Sequence, residues 1–419
     1  MQSARKPPLL ARMRAAVDRV WLTPNPLFDA RFYLACNPDV STNGIDPWRH
    51  YLKYGAREGR DPNPVFDSDW YMSRQPDAAA RNLNPLLHYW GSSASSGGEP
   101  NAFFDSSRIA VAAGGAANPL LYYLQHEDVR RRDPSDRFDS AWYARSNPDL
   151  DFGHFWPLAD FLQYGAAEGR TPVPFRPPRR SSGKAGKPRI AVYTAIAGDY
   201  DALKIPSVVD ADCSYFCFTD QDISWQDVWA RRDLPWRHAD PVRRSRYVKH
   251  HPHECFPDHE WSIWIDANVR LQCLPQELVP ADEKWNMATW RHPVRDCAYA
   301  EAKECIAGKR DEAAIIESQM SRYRLAGYPE RAGLTETCVM VRRHHDRALT
   351  RFAQSWWREL ADGSRRDQLS FGFASRGADL GLTYLGPPGS DVRRDARFGY
   401  FKHKQRRPRW LTGPQTRRK

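Results

Sequence analysis

Residues 261–268 read Trp-Ser-Ile-Trp-Ile-Asp-Ala-Asn, an apolar and aromatic run that stops on Asp266-Ala267-Asn268. A run of this kind predicts a buried strand. Three other runs share its character: Arg189 to Ala197 (RIAVYTAIA), Ser214 to Thr219 (SYFCFT) and Thr337 to Val341 (TCVMV). The first is closed by Gly198-Asp199-Tyr200 and the second by Asp220-Gln221. Segments with helical spacing lie between them, notably Arg295 to Arg310 and Arg347 to Leu360. Strands alternating with helices predict an α/β sheet, with functional groups at the strand C-terminal ends. Asp266 and Asn268 sit two apart at such an end, so both side chains face one spot while Ala267 faces away. Paired oxygens of this type suit Mg2+ or Mn2+ on the diphosphate of a nucleotide sugar. The same spacing also builds ordinary turns, so it does not decide the chemistry alone.

Upstream, Phe-Asp recurs at Phe28, Phe66, Phe104 and Phe138, followed five residues after each Phe by Tyr33, Tyr71, Ile109 and Tyr143. Asn/Gln-Pro-Asp follows at Asn37, Gln75 and Asn147, and Pro47, Pro85, Pro119 and Pro157 open aromatic segments. Glu-Gly-Arg closes two copies, at 58–60 and 168–170. The pattern predicts two short helices per repeat, with Asp capping the first and Pro opening the second. Gly55 and Gly165 are expected to stop the second helix. Units this small must stack to bury their aromatics, and a glycan-binding platform is the alternative use of exposed rings. The domain reading is an amphipathic segment over 1–24, four helical repeats over 25–175, a basic linker over 176–188, an α/β domain over 189–405 and a basic tail over 406–419. The N-terminal segment either caps the first repeat or lies on an anionic membrane surface.

The 419-residue chain has a formal charge of +11. Residues 176–189 carry six basic side chains and residues 401–419 eight, with no acid in either, so the folded parts are close to balanced. With no zinc-finger spacing and no RNP-like run, nucleic acid is not the expected partner. No apolar run is long enough to span a bilayer, and the first residues do not read as a secretory signal. Eight cysteines without a C-x-x-C pair fit reduced thiols in a cytosol, and the expected location is cytoplasmic, peripheral to the inner membrane face if the N-terminal helix binds lipid.

The succession VYTAIAGDYDAL, CFTDQ, RRSRYVKHHPHECFPDHEWSIWIDANVRL, RHPVRDCAYAEAKECI, QMSRYRLAGYP, GLTETCVMVRRHH and SWWRELADGSRRDQLSF resembles one family over about residues 189–375. That family is the glycosyltransferase-like domain of plant turgor-regulation and mucilage-polysaccharide proteins. The resemblance implies a nucleotide-sugar-binding, GT-A-like fold and transfer of a sugar to a polysaccharide or lipid-linked glycan. It implies that Asp266 and Asn268 face a Mn2+ or Mg2+ ion and the diphosphate. Thr194, Ala195, Asp199 and Tyr200 would line the nucleotide pocket, with Gln368 also on the donor. Arg246 and Lys249, three apart, would form a phosphate clamp on one helical face. His253, His292 and Arg295 would serve the acceptor or sugar, and Glu301 or Asp367 would be the acid or base. Glu301 and Asp367 can equally be buried partners of Arg295 or Arg366. Near the C-terminus His403 is a candidate late metal ligand, with Lys402 or Lys404 on phosphate. The Phe-Asp repeats resemble modules that accompany bacterial glycosyltransferases.

Two rival readings stay open. His250, His251, His253 and His259 crowd HHPHECFPDH, a possible zinc site for a metal-dependent amidohydrolase, since plant relatives have been linked to ceramide hydrolysis. The stretch lacks H-E-x-x-H, and its prolines oppose a helical ligand face. A glycan-binding protein without catalysis is the other.

Overall fold

The run from Ile190 to Ile196 forms β1, buried at every residue, as expected of a strand covered on both faces. The computed structural model describes residues 23–92, 98–115, 118–150, 156–174, 176–177, 179–180, 189–198 and 200–403. Almost all of the amphipathic N-terminal segment, most of the linker, the tail, Asp199 and Lys404 lie outside the described residues. The chain divides into two compact units, Met1–Pro174 with Gln405–Lys419, and Phe175–Lys404.

The Phe175–Lys404 unit is a mixed α/β fold around a seven-stranded sheet. Its strands are β1, β2 (Ser214–Thr219), β3 (Ala230–Arg232), β4 (Trp261–Ile265), β6 (Met287–Arg291), β7 (Thr335–Arg342) and β8 (Leu382–Tyr384), with β5 (Val269–Leu271) and β9 (Phe398–Tyr400) forming a separate antiparallel ribbon. The order across the sheet is β8-β6-β7-β4-β1-β2-β3. All neighbours are parallel except β7, which runs antiparallel to β4 and β6. The chain builds outward from β1 through β2 to β3, then returns to place β4 on the other side. That reversal makes a topological switch point between β1 and β4, where open α/β sheets have a ligand crevice beyond the strand C-terminal ends. Because β7 is reversed, its first residues lie at the same edge, and the Asp266 amide donates to the Cys338 carbonyl at 2.8 Å.

Five helices matter to that edge: α1 (Pro241–His250), α2 (Ala298–Ala307), α3 (Ala313–Leu325), α4 (Arg347–Asp362) and α5 (Asp367–Ala374). Asp346 caps α4, whose buried Leu349, Phe352, Ala353, Trp356 and Leu360 form the apolar stripe its spacing predicts. Leu349, Phe352 and Trp356 of this stripe share one buried cluster with Tyr193, Trp264 and Met340 of the sheet. The far end of α4 is closed from α1, where Arg243 donates to the Leu360 and Gly363 carbonyls. Every cysteine is a free thiol. No helix among the described residues is long and apolar enough to cross a membrane.

In the N-terminal unit each Phe-Asp pair leads into a helix: Ala30–Cys36, Ser68–Ser73, Ser106–Ala112 and Ser140–Ser146. The side chains of Asp29, Asp67, Asp105 and Asp139 accept first-turn amides as N-caps. Pro47, Pro85, Pro119 and Pro157 open the aromatic helices as expected, but Pro38–Thr42 and Pro76–Ala80 add a short helix before them, so the first two repeats hold three helices rather than two. The capping residues also reach forward through the backbone, Asp29 N to Pro62 O at 2.9 Å and Asp67 N to Pro100 O at 3.0 Å. Glu-Gly-Arg and Asn-Pro-Asp travel together because they form one cluster. Arg60 donates to Glu58 at 2.7 Å and to Asn37 and Asp39 at 2.9 Å. Arg170 does the same with Glu168 at 2.8 Å and Asp149 at 3.0 Å.

Gly55 and Gly165 are the last residues of their helical segments, as expected, and also make room for a packed side chain. Each ends a π-helical turn, Tyr51–Gly55 or Phe161–Gly165. A Cβ would run into the hydroxyl of Tyr33 or Tyr143 respectively. The Tyr143 hydroxyl is in turn fixed on Asp160 at 2.6 Å. Gly165→Ala is therefore expected to cost about 1–3 kcal/mol by overpacking. A thermal melt of the variant checks this, and an unchanged midpoint would contradict it.

Candidate functional site

Asp266 follows β4 at the crevice, and its contacts are confined to one oxygen. Its Oδ1 accepts the Trp264 indole N–H at 2.7 Å, lies 3.5 Å from the Arg246 guanidinium and 3.6 Å from Lys249 Nζ. Its Oδ2 has no hydrogen-bond partner among the described residues, and the side chain is 23% exposed. Lys249 projects from α1 and is fully buried. Its Nζ donates to Asp367 Oδ2 at 2.6 Å and to Thr337 Oγ1 at 3.0 Å. The Thr337 hydroxyl donates to the same Asp367 oxygen at 3.1 Å. Burial alone would raise the Asp367 carboxyl, but the adjacent Arg246 and Lys249 charges hold it well below the usual carboxylate range. Asp367 is thus a fixed anion at the start of α5.

Arg246, one turn before Lys249, lies on the same helical face, as their spacing requires. It sits 3.5 Å from Asp266 and 3.6 Å from Asp367, closing tightly on neither. Its Nε is buried without a hydrogen-bond partner.

The loop after β1 forms the other wall. Gly198 turns with φ +62°, its N–H donating to Asp220 at 2.9 Å while its carbonyl accepts Gln221 Nε2 at 2.7 Å. Thr194 and Ala195 lie inside β1 and are buried, and Thr194 Oγ1 lacks a hydrogen-bond partner. Tyr200 is 56% exposed and meets the His403 ring at 5.2 Å. His403 Nδ1 donates to the buried carboxylate of Asp201 at 2.8 Å. Asn268 is also buried, its amide donating to the Phe401 carbonyl at 3.1 Å. That bond ties the segment leading to His403 onto the Asp266 loop. Lys402 is exposed.

A second cluster lies at the β6 end. Glu301 on α2 is 1% exposed, accepts Arg295 Nε at 2.6 Å and has His292 Nε2 at 3.7 Å. Burial depresses the His292 pKa against the pull of Glu301. Glu336 on β7 binds Arg393 at 2.6 Å, and both act electrostatically on His292. Gln368 sits beside Arg366, whose guanidinium donates to it at 3.5 Å.

His253 is not brought to these groups. Once α1 has crossed the sheet, Pro252 starts a new turn, leaving His253 near Arg342 and His345. Arg342 pairs with Ser262 at the start of β4, the opposite edge. The histidine-rich stretch disperses as well. His250 and His251 use Nδ1 on the Arg246 and Tyr247 carbonyls at 2.7 and 2.8 Å, and His259 contacts Ser214 at 2.9 Å. Among the described residues no group of three or more His, Cys, Asp or Glu is placed to hold a metal.

Sequence reasoning missed Trp264, Thr337, Asp201, Glu336 and Arg393. Trp264 read as strand core. Thr337 was visible only as the start of an apolar run, since nothing in TCVMV reveals that its strand is reversed.

Residues 223–379 match the model of the TOD1/MUCI70 glycosyltransferase-like domain, the family that the motifs resemble. Over 214 residues the chain is 25% identical to Probable hexosyltransferase MUCI70 of Arabidopsis thaliana, covering 43% of this chain and 36% of that protein. The chain therefore spans little more than a third of that relative. Solved structures with some likeness include the WbbM bifunctional glycosyltransferase, at TM-score 0.28 and 11% identity over 49% of this chain and 40% of that one. Mouse xyloside xylosyltransferase 1 matches at TM-score 0.27 and 10% identity, over 47% and 84%.

Proposed function

We propose that the Phe175–Lys404 unit is a GT-A-like glycosyltransferase. In this reading it moves a sugar from a nucleotide-sugar donor to a polysaccharide or lipid-linked glycan, with Mn2+ or Mg2+ assisting. The match to a glycosyltransferase-like domain supports glycosyl transfer in general. The observation that carries the finer reading is the presentation of Asp266. It stands at the strand-order reversal with Oδ1 accepting the Trp264 indole N–H at 2.7 Å and Oδ2 without a hydrogen-bond partner among the described residues.

The donor chemistry fits a hard cation. Asp266 Oδ2 supplies a carboxylate oxygen, and His403 has the arrangement of a ligand whose other ring nitrogen is oriented by a carboxylate, here Asp201. Two protein ligands suffice for Mg2+ or Mn2+ when phosphate oxygens and water fill the remaining positions. When bound, the ion would neutralise charge on the departing diphosphate. Asn268 serves by holding Phe401, and so His403, in place. Its own ligation of the ion stays part of the proposal.

The remaining roles follow from burial and charge. Arg246 takes the diphosphate, with exposed Lys402 and Gln368 at the rim. Tyr200 offers a ring face to the base above the floor formed by Thr194 and Ala195. Asp367 is a poor base, because a carboxylate held far below its ordinary value does not take a proton near neutrality. It acts by anchoring Lys249. Glu301, closed by Arg295, orients Arg295 and His292 toward the acceptor side. A lipid-linked acceptor would place the protein at the inner membrane face, reached through the N-terminal segment and basic stretches.

The test is release of nucleoside diphosphate from UDP-, GDP- and CDP-sugars with and without Mn2+. Metal-dependent release from one base class supports the reading. No release from any donor, by folded protein with acceptor extract present, counts against it.

A further inference from the structure

The two cations of α1 differ in how firmly they are held. Lys249 is fully buried, with contacts of 2.6 Å to Asp367 and 3.0 Å to Thr337. Among the described residues the Arg246 guanidinium has only the two long contacts, 3.5 Å to Asp266 and 3.6 Å to Asp367, and a buried Nε with no hydrogen-bond partner. A guanidinium carries five donors in a planar fork that matches phosphate oxygens, whereas a fully buried ammonium already bonded to two protein oxygens is closed to a ligand. Arg246 also acts electrostatically on the same two carboxylates and on Tyr200 of the β1 loop, and its side chain keeps 16% exposure where that of Lys249 has none.

We propose that these cations have separate duties, resting on the donor-site reading above. Lys249 is a positioning residue that meets no ligand: locked by Asp367 and Thr337, its charge 3.6 Å from Asp266 Oδ1 draws that oxygen inward and leaves Oδ2 to the crevice. Arg246 is a ligand-binding residue shared between Asp266 and the diphosphate. Its charge beside Asp266 opposes a divalent cation there, because like charges within a few ångströms repel. A diphosphate that engages the guanidinium draws that charge onto itself and relieves the opposition. Cation and diphosphate therefore bind with positive coupling that runs through Arg246, and by linkage each raises the affinity of the other by the same factor.

The consequence is a pair of effects of opposite sign from one substitution. Arg246→Gln is expected to tighten Mn2+ binding without phosphate, read by electron paramagnetic resonance of free Mn2+. The same variant is expected to bind inorganic pyrophosphate, in the presence of Mn2+, about tenfold or more weakly, the loss of a charge-assisted bond. The mutual enhancement of Mn2+ and pyrophosphate should shrink toward none. Lys249→Met alone leaves Asp367 buried without its partner and is at risk of misfolding. The charge-balanced pair Lys249→Met with Asp367→Leu is used instead, and should weaken Mn2+ binding without phosphate, since Asp266 loses its support.

If Arg246→Gln weakens Mn2+ and pyrophosphate alike, or leaves pyrophosphate unchanged, the split of duties is wrong while the donor-site reading stands. A double variant that binds Mn2+ as the wild type does overturns the positioning role of Lys249. Wild-type protein that binds neither Mn2+ nor pyrophosphate, alone or together, overturns both this inference and the reading beneath it.

Discussion

Asp367→Ala is expected to lower folding stability by about 3–5 kcal/mol, because it strands a fully buried lysine without its partner. Lys249 Nζ and Asp367 Oδ2 are 2.6 Å apart and both side chains are almost wholly inside the protein, so solvent screens them little. The double variant Lys249→Met with Asp367→Leu removes both charges, and should recover most of the loss, as apolar replacements of buried pairs commonly do. Urea unfolding of the three proteins measures this. A single-variant cost below about 1 kcal/mol would place the pair in the class of exposed ion pairs and contradict the burial argument. The pH dependence has a definite sign. The folded carboxyl lies well below its ordinary value of 3.8, so its contribution is fully present above that value. It is lost only as pH falls further, through the folded pKa. The variant should therefore lose relatively more at pH 5–8 than near pH 2.

Asp266→Asn is expected to reduce turnover of the donor by about 10²–10³-fold, the usual cost of removing one preorganised electrostatic group. The substitution keeps an oxygen to accept the Trp264 indole N–H, 2.7 Å away in the native protein, but deletes the charge. The melting temperature should change far less than for Asp367→Ala, because Asp266 is partly exposed while Asp367 is enclosed. Initial rates of nucleoside diphosphate release by the two proteins, alongside their melts, separate the effects. A variant with native turnover would remove Asp266 from the site.

Four strands were legible because their runs are apolar and bounded by turn residues: Ile190–Ile196, Ser214–Thr219, Trp261–Ile265 and Thr335–Arg342 are buried almost throughout. The α4 stripe was legible for the same reason. Ala230–Arg232 was not, being a three-residue edge strand with every side chain exposed, and Leu382–Tyr384 is an equally short, half-buried edge. Within the site, the pairing of Arg246 with Lys249 on one face followed from spacing. Their inequality did not, since it depends on Asp367 and Thr337 closing over Lys249 from 118 and 88 residues away. His253 shows the limit of local reasoning: it follows Lys249 by four residues, yet α1 has by then carried the chain across the sheet. The Gly55 and Gly165 positions teach the same lesson, for the hydroxyl that excludes a Cβ belongs to the helix that opens the repeat.

The most direct test of the donor site is a thermal-shift screen of UDP, GDP, CDP and their sugars, with and without Mn2+, on wild type and Asp266→Asn. A ligand at ~100 times its Kd adds about 2.7 kcal/mol, a readily visible shift. The account predicts stabilisation by one base class that requires the metal and is absent in the variant. Stabilisation that is indifferent to Mn2+ and to Asp266, or none with any nucleotide in folded protein, would contradict it.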